Sequence, residues 1–270
     1  MNSSDFDKYY YYHTSVQSPE FEADFLVKTF AEVRGYFPKK LREDFCGTYA
    51  LSCEVAKLKV LQPSLSELKI FGVDHDPEPL TYGKDHYESE LSEEQRGTLC
   101  LQQANVLTGE LPKAQLAFAL NFSYFIFKKR EVLKQYFQNA YNSLEKDGVL
   151  VLDCFGGSDC HEANEEETEH EDEGFSYFWD QDSFNPVNNH AQYYIHFQRE
   201  GEEKREKVFS YDWRLWSIAE IREILAEVGF VKSHVYWEGT DEDGEGDGNF
   251  SRTEVGEDCE SWVSYLVAEK

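Results

Sequence analysis

Short apolar runs alternate with helical segments between residues 41 and 152, and this alternation limits the fold more than any other feature of the chain. The helical spacing is clearest at 132–144, where apolar residues recur every three or four positions. Strands that alternate with helices are typical of a parallel sheet covered by helices on both faces. The sequence therefore predicts an α/β fold whose first strands are Leu41–Cys46, Leu68–Val73, Thr98–Ala104, Ala114–Asn121 and Val149–Leu152.

The segments that flank this alternation have a different character. Residues 1–17 are tyrosine-rich and are predicted to be irregular, whereas Ser18-Pro19 is typical of a helix start. Beyond the fifth strand, aromatic and β-branched runs at Gln192–Arg199 and Lys207–Trp213 predict an antiparallel hairpin. The C-terminal part is expected to form a capped helix from Ser217 and two final strands, Phe230–Trp237 and Ser261–Ala268.

The chain is strongly acidic, with 26 basic and 53 acidic residues among 270 and a formal net charge of -27. Nine acidic residues and no Lys or Arg lie in 159–173, and ten acidic residues lie in 238–260. Both stretches are expected to be solvated loops. The charge argues against general nucleic-acid binding, because a phosphate backbone would be repelled. The cluster Lys128-Lys129-Arg130 is interpreted as a solvated helix start.

Two patterns resemble metal sites, and neither predicts one. Residues 241–249 are similar to the start of a calcium loop, but Arg252 stands where that loop requires a bidentate Glu. We expect a flexible loop without a tight calcium site. The six cysteines show no CxxC spacing, which disfavours zinc and favours free thiols in a reducing compartment. Without a membrane-length apolar run or a secretory signal, the sequence predicts a cytoplasmic protein with no membrane partner.

Polar residues follow the predicted strands at the point where each strand ends. Because the carboxyl ends of parallel strands meet along one edge of a sheet, these residues are expected to border a common ligand crevice. The first strand leads into a short turn with a small residue, where backbone N–H groups are free to meet a ligand. The turn and the later strand ends comprise Glu43, Phe45, Cys46, Gly47 and Thr48, then Asp74 and His75, then Asn105 and Val106, and finally Asn121.

This series resembles the class I S-adenosylmethionine-dependent methyltransferases, and three stretches are similar to an uncharacterised bacterial group of them: 42–48, 119–124 and 211–216. The resemblance implies a Rossmann-like, mostly parallel seven-stranded sheet of order 3-2-1-4-5-7-6, with the last strand antiparallel. It implies a cofactor core at 18–155, an acidic loop and hairpin lid at 156–216, and a C-terminal part at 217–270 that completes the sheet.

The same resemblance implies S-adenosylmethionine as cofactor, held by the ten strand-end residues named above. Asp74 is expected to bind the ribose, although it alternatively caps the turn before Pro77. Two departures from the family are visible. Phe45 and Tyr49 stand where the family usually has glycine, which predicts a differently shaped loop or a shifted register, and Asn105 stands where Asp is common.

The implied reaction is methyl transfer to a small molecule, with Phe122, Tyr124, Trp213 and Arg214 as candidate substrate residues. Arg214 either grips an anionic substrate group or pairs with an acidic residue of the chain. No catalytic residue, methyl acceptor or oligomeric state follows from the sequence. The alternatives are a protein methyltransferase and a non-catalytic cofactor-binding subunit. A nicotinamide-dependent Rossmann enzyme requires G-x-G-x-x-G after the first strand, which this chain lacks.

Overall fold

The computed structural model of the chain describes residues 6–240 and 246–270, which form two sheets and the helices around them. The helices are α1 (Lys8–Val16), α2 (Pro19–Arg34), α3 (Ala50–Lys57), α4 (Pro77–His86), α5 (Glu93–Arg96), α6 (Arg130–Ser143) and α7 (Ile218–Val228). The strands are β1 (Lys40–Asp44), β2 (Lys69–Asp74), β3 (Leu99–Gln103), β4 (Ala114–Ala119), β5 (Leu144–Gly156), β6 (Asn164–His170), β7 (Phe175–Asn185), β8 (His190–Arg199), β9 (Arg205–Arg214), β10 (Lys232–Thr240), β11 (Gly246–Thr253) and β12 (Trp262–Glu269). Within the described ranges, no helix has both the length and the apolar character needed to cross a membrane.

The larger sheet has eight strands in the order β11-β10-β12-β5-β4-β1-β2-β3. Strand β1 pairs in parallel with β2 and β4, and β12 pairs antiparallel with β5 and β10. From β3 to β10 the order is the expected 3-2-1-4-5-7-6 with its last strand antiparallel, so this prediction is confirmed. The eighth strand, β11, pairs antiparallel with the outer side of β10.

Apolar side chains of the central strands point alternately to two buried clusters, one on each face of the sheet. Leu116 and Phe118 of β4 belong to the cluster that contains residues of α2 and α3. Ala117 and Ala119 belong to the cluster that contains residues of α6 and α7. Since β4 is covered on both faces, all of its apolar residues are buried, which is why it appears in the sequence as a continuous apolar run.

The smaller sheet is antiparallel with the order β6-β7-β8-β9. The predicted hairpin is present as β8 and β9, whose central pair is Tyr193 opposite Tyr211. The prediction of a loop over 159–173 is wrong, because Asn164–His170 forms β6 along the edge of β7. Most side chains of β6 are exposed. The segment is therefore a strand because it pairs with β7, since burial of its own side chains does not require it.

Two further predictions are corrected by the structure. The tyrosine-rich N-terminal segment contains helix α1, whose first N–H groups are capped by the Asp7 carboxylate. Residues 246–253 form strand β11 and not a flexible loop. The remainder of the calcium-like segment, 241–245, lies outside the described residues.

Helix α1 packs on the smaller sheet, with Tyr11 against Phe175 and Tyr12 against Phe209.

Candidate active site

The turn after β1 has left-handed backbone at three alternate residues: φ is 61° at Phe45, 52° at Gly47 and 46° at Tyr49. These include Phe45 and Tyr49, the two positions where the resemblance expects glycine, and both have the backbone conformation that glycine favours. A non-glycine residue in this region costs about 1–2 kcal/mol. Packing holds the two aromatic residues there: Phe45 lies 5.4 Å from the Tyr136 ring, and the buried Tyr49 donates a hydrogen bond to Glu88.

Glu43 ties the end of β1 to the first turn of α3. Its carboxylate accepts hydrogen bonds from the Ser52 N–H at 3.1 Å and from the Ser52 hydroxyl at 2.5 Å. Burial raises the pKa of Glu43 to about 8, although the bonds from Ser52 oppose the shift. Glu43 thus anchors the helix that begins at the turn while also lining the cavity beside it.

Helix α4 packs against the same turn through Gly83. A Cβ atom at Gly83 would lie 2.0 Å from the carbonyl oxygen of Thr48 and 2.7 Å from the Tyr49 ring. We therefore expect Gly83→Ala to lower the free energy of unfolding by about 1–3 kcal/mol, measured by urea denaturation. Gly97→Ala, whose Cβ would lie 3.3 Å from its nearest neighbour, is the control; equal losses in both variants would contradict this packing argument.

Asp74 braces the turn from β2. One carboxylate oxygen accepts from the Gly47 N–H at 2.9 Å, and the other accepts from the Asp76 N–H at 2.9 Å. Asp74 is absent from the walls of the cavities described below, and the neighbouring His75 is exposed. Asp76, which sequence reasoning missed, lines the smaller cavity and caps α4 through the Glu78 N–H.

A cavity of about 230 Å³ opens at the carboxyl ends of β1 and β4. Its floor is the turn after β1 together with Asn121, and its roof is formed by Tyr9 and Tyr12 of α1 and by Phe209 and Tyr211 of β9. Of the predicted cofactor residues, the structure brings six together here: Glu43, Phe45, Cys46, Gly47, Thr48 and Asn121.

The remaining predicted cofactor residues lie elsewhere. The Asn105 side chain accepts a hydrogen bond from the Leu107 N–H at 2.8 Å and is exposed, and Val106 is buried in the core. With Asp74 and His75, they are absent from the cavity walls, so the structure does not place them against a ligand there.

A second cavity, of about 490 Å³, adjoins the first and shares Tyr12, Asn121 and Tyr211 with it. Aromatic side chains form much of its wall, among them Phe122 and Trp213. Three acidic residues also line it, Glu22, Asp153 and Glu238. Over residues 6–240 and 246–270, no Lys, Arg or His contributes to this wall.

Two of these carboxyl groups are buried and have raised pKa values. Burial raises the pKa of Glu22 to about 7. Burial, assisted by the nearby Glu22, raises the pKa of Asp153 well above its usual range, although Asp153 accepts a hydrogen bond from the Phe122 N–H at 2.9 Å. Sequence signals existed for both: Asp153 interrupts an apolar strand, and Glu22 shares the buried face of α2 with Leu26.

Two predicted substrate residues are placed away from the cavities. The Arg214 guanidinium lies 3.6 Å from the Trp216 ring centroid and donates to Glu220 at 3.0 Å, which supports the alternative that it anchors structure. Tyr124 is fully buried and donates its hydroxyl proton to the Asp153 carbonyl at 2.6 Å. Phe122 and Trp213 line the larger cavity, and their role in substrate contact stays a prediction.

A separate cluster in the smaller sheet joins Glu165, Asp180 and His196. The His196 Nδ1 accepts the Lys207 N–H at 2.7 Å, so a neutral ring carries its proton on Nε2. That Nε2 lies 3.0 Å from the Asp180 carboxylate and is occupied as a hydrogen-bond donor. The geometry therefore supports a structural hydrogen-bond cluster and not a set of metal ligands.

Comparison with known proteins places the fold. No protein-family model matches the chain, and no curated protein matches it in sequence. Its structure is similar to an S-adenosylmethionine-dependent methyltransferase from Clostridium acetobutylicum, with a TM-score of 0.68, 17% identity and 96% of each chain covered. It is also similar to an amino pentose methyltransferase from Micromonospora echinaspora, solved with bound cofactor, with a TM-score of 0.63, 14% identity and coverage of 100% and 99%.

A third similar structure is a sugar N-methyltransferase from a Streptoalloteichus species, with a TM-score of 0.64, 15% identity and coverage of 100% of this chain and 95% of that chain. The likeness extends over nearly the whole length in all three comparisons. The chain thus has the fold of the S-adenosylmethionine-dependent methyltransferases, which confirms the predicted fold class.

Proposed function

We propose that the chain transfers a methyl group from S-adenosylmethionine to a small molecule. The observation that carries this proposal is the pair of adjoining cavities at the carboxyl ends of β1, β4 and β5 in a methyltransferase fold. When bound, S-adenosylmethionine supplies a methyl group on a sulfonium, and the electron pair of the broken C–S bond stays with sulfur. The residues of the chain then act mainly by binding, orienting and excluding water.

The smaller cavity fits the cofactor in three respects. The left-handed backbone at Gly47 turns the chain sharply after β1 and leaves open space where a side chain would project. The Asp76 carboxylate uses one oxygen for the cap of α4 and stands at the cavity wall, where it is the candidate partner of a ribose diol. Tyr12 and Tyr211 lie at the junction of the cavities, where aromatic rings stabilise a cation.

The larger cavity supports a small acceptor over a protein substrate. Its wall is contributed by α1, the central sheet and the smaller sheet together, so the acceptor space is enclosed on several sides. We infer that residues 156–216 act as the lid of the site. Two of the similar structures are described as methyltransferases of an amino pentose and of a sugar, which also favours a small-molecule acceptor.

Asp76→Asn tests the cofactor assignment. Asparagine retains the helix cap but removes the charge, so we expect affinity for S-adenosylhomocysteine to fall about tenfold or more, measured by calorimetry. Asp85→Asn, an exposed change on the same helix, is expected to leave affinity unchanged. Absence of binding by the unaltered protein would overturn the proposed function, and equal affinity of the two variants would overturn the role of Asp76.

The cysteines support a reducing location such as the cytoplasm. All six are free thiols, and Cys46, Cys53, Cys154 and Cys160 are buried. Burial raises the pKa of the Cys46 and Cys154 thiols well above the usual range, which makes them unreactive at neutral pH. We therefore infer that they pack as small apolar side chains and take no part in the transfer.

A further inference from the structure

We propose that the acceptor is a cationic amine and that Glu22 receives the proton that the amine must lose. This inference rests on the proposed function and names its substrate class. It reverses the expectation of an anionic substrate, because the only charged residues that the described structure places in the wall of the larger cavity are acidic.

The composition of the larger cavity selects for positive charge. Glu22, Asp153 and Glu238 line it, and no Lys, Arg or His among the described residues shares the wall with them. An ionised carboxylate in such a place is stabilised strongly by a bound cation. The aromatic rings around it, including Trp179 and Trp213, offer the faces that attract ammonium groups.

Glu22 is the acid best placed to exchange a proton. It is 9% exposed, and burial is the cause of its raised pKa. Glu22 in turn raises the pKa of four groups on neighbouring elements, all of them acids or tyrosines: Asp153 of β5, Glu43 of β1, Tyr12 of α1 and Tyr265 of β12. Its pKa of about 7 lies where a carboxylate takes a proton at neutral pH. Asp153, by contrast, is held by the Phe122 N–H.

The proton step balances without another reactant. An ammonium group enters, its N–H bond breaks, and the electron pair of that bond remains on nitrogen as a lone pair. The proton passes to the Glu22 carboxylate, which becomes a neutral carboxylic acid. The neutral amine then has the lone pair that methyl transfer requires, and the buried acid is uncharged.

Binding of a matched pair of probes tests the inference. Choline and 3,3-dimethyl-1-butanol have the same shape and differ in charge, and neither changes its charge over this pH range. Fluorescence of the cavity tryptophans, with saturating S-adenosylhomocysteine, reports their affinities. At about pH 8.5 we expect choline to bind at least about tenfold more tightly than the alcohol, since about 1.4 kcal/mol gives a factor of ten. At about pH 5.5 this preference is expected to shrink.

Two variants of α2 separate the specific role from general charge. Glu22→Gln is expected to reduce the preference for choline at least about fivefold and to leave affinity for the alcohol and for S-adenosylhomocysteine unchanged. Glu20→Gln makes the same change of net charge at an exposed position and is expected to keep the preference.

The outcomes distinguish this inference from the proposed function. If S-adenosylhomocysteine binds but choline and the alcohol bind equally, or if the two variants lose the preference equally, the amine inference is overturned and the proposed function stands. If choline is preferred in a Glu22-dependent way but S-adenosylhomocysteine does not bind, the cationic site stands and methyl transfer is overturned.

Discussion

Replacing Asp44 with alanine is expected to lower the free energy of unfolding by about 3–5 kcal/mol. Asp44 pairs with Arg42 through two hydrogen bonds, of 2.7 and 3.1 Å, and both side chains are fully buried. The variant leaves the Arg42 guanidinium buried without its counter-charge, although Pro112 and Ser143 still accept from it. Urea denaturation at neutral pH measures the loss.

Two comparisons isolate the cause of this loss. The double variant Arg42→Leu, Asp44→Leu removes both buried charges. For each residue replaced, we expect it to lower the free energy of unfolding less than Asp44→Ala does. Glu145→Ala breaks the exposed Lys40–Glu145 pair and is expected to cost less than about 1 kcal/mol. If Asp44→Ala also lowers the free energy of unfolding by less than about 1 kcal/mol, the buried pair does not stabilise the fold as argued.

The free energy of unfolding is expected to fall as pH rises from about 5 to about 9. The folded-state pKa is raised to about 7 for Glu22 and about 8 for Glu43, against an ordinary value of 4.5. At pH values between the ordinary pKa of 4.5 and the raised pKa of the folded state, the folded chain binds more protons than the unfolded chain. The free energy of unfolding therefore falls as pH rises through this range. A pKa unit corresponds to about 1.4 kcal/mol, which makes the loss from Glu22 alone about 3 kcal/mol.

Glu22→Gln is expected to flatten this dependence, because the amide has no proton to lose. Denaturation series at several pH values measure the slope for each variant. Glu20→Gln is expected to run parallel to the unaltered protein, since Glu20 is exposed. A Glu22→Gln slope equal to that of the unaltered protein would show that Glu22 titrates normally in the folded state.

The central sheet was predictable because its strands are buried on both faces. Leu116 to Ala119 contact apolar clusters on alternate sides, so nearly every residue of β4 must be apolar. The helices between the strands show the complementary one-sided pattern, as α6 does with Leu133, Phe137 and Ala140 on its buried face. Local pattern and tertiary packing agree in this part of the chain.

The edge strands were not predictable in the same way. The side chains of β6 and β11 are mostly exposed, so neither strand has the apolar alternation that identifies a half-buried strand. Pairing with β7 and β10 makes them strands, and such pairing is a property of the assembled sheet. Helix α1 was missed for a related reason, because none of its residues is buried enough to impose a helical pattern.

The candidate site was predictable where the backbone defines it and not where side chains meet from distant elements. The turn after β1 lies at the cavity because of its place at a strand end. Asp74 and Asp76 both lie at the end of β2, and the sequence does not show which of them faces the cavity. In the structure, Asp74 accepts the hydrogen bond from Gly47, whereas Asp76 lines the smaller cavity. Glu22 and Asp153 are separated along the chain and meet only because α2 packs beside β5.

Strand β6 also bears on how the molecule behaves at high concentration. An edge strand presents unpaired N–H and C=O groups on which another chain can add a strand. In β6 that edge carries Glu165, Glu166, Glu167 and Glu169, so the edges of two copies repel each other before their backbones can pair. These four carboxylates thus oppose edge-to-edge polymerisation of the chain.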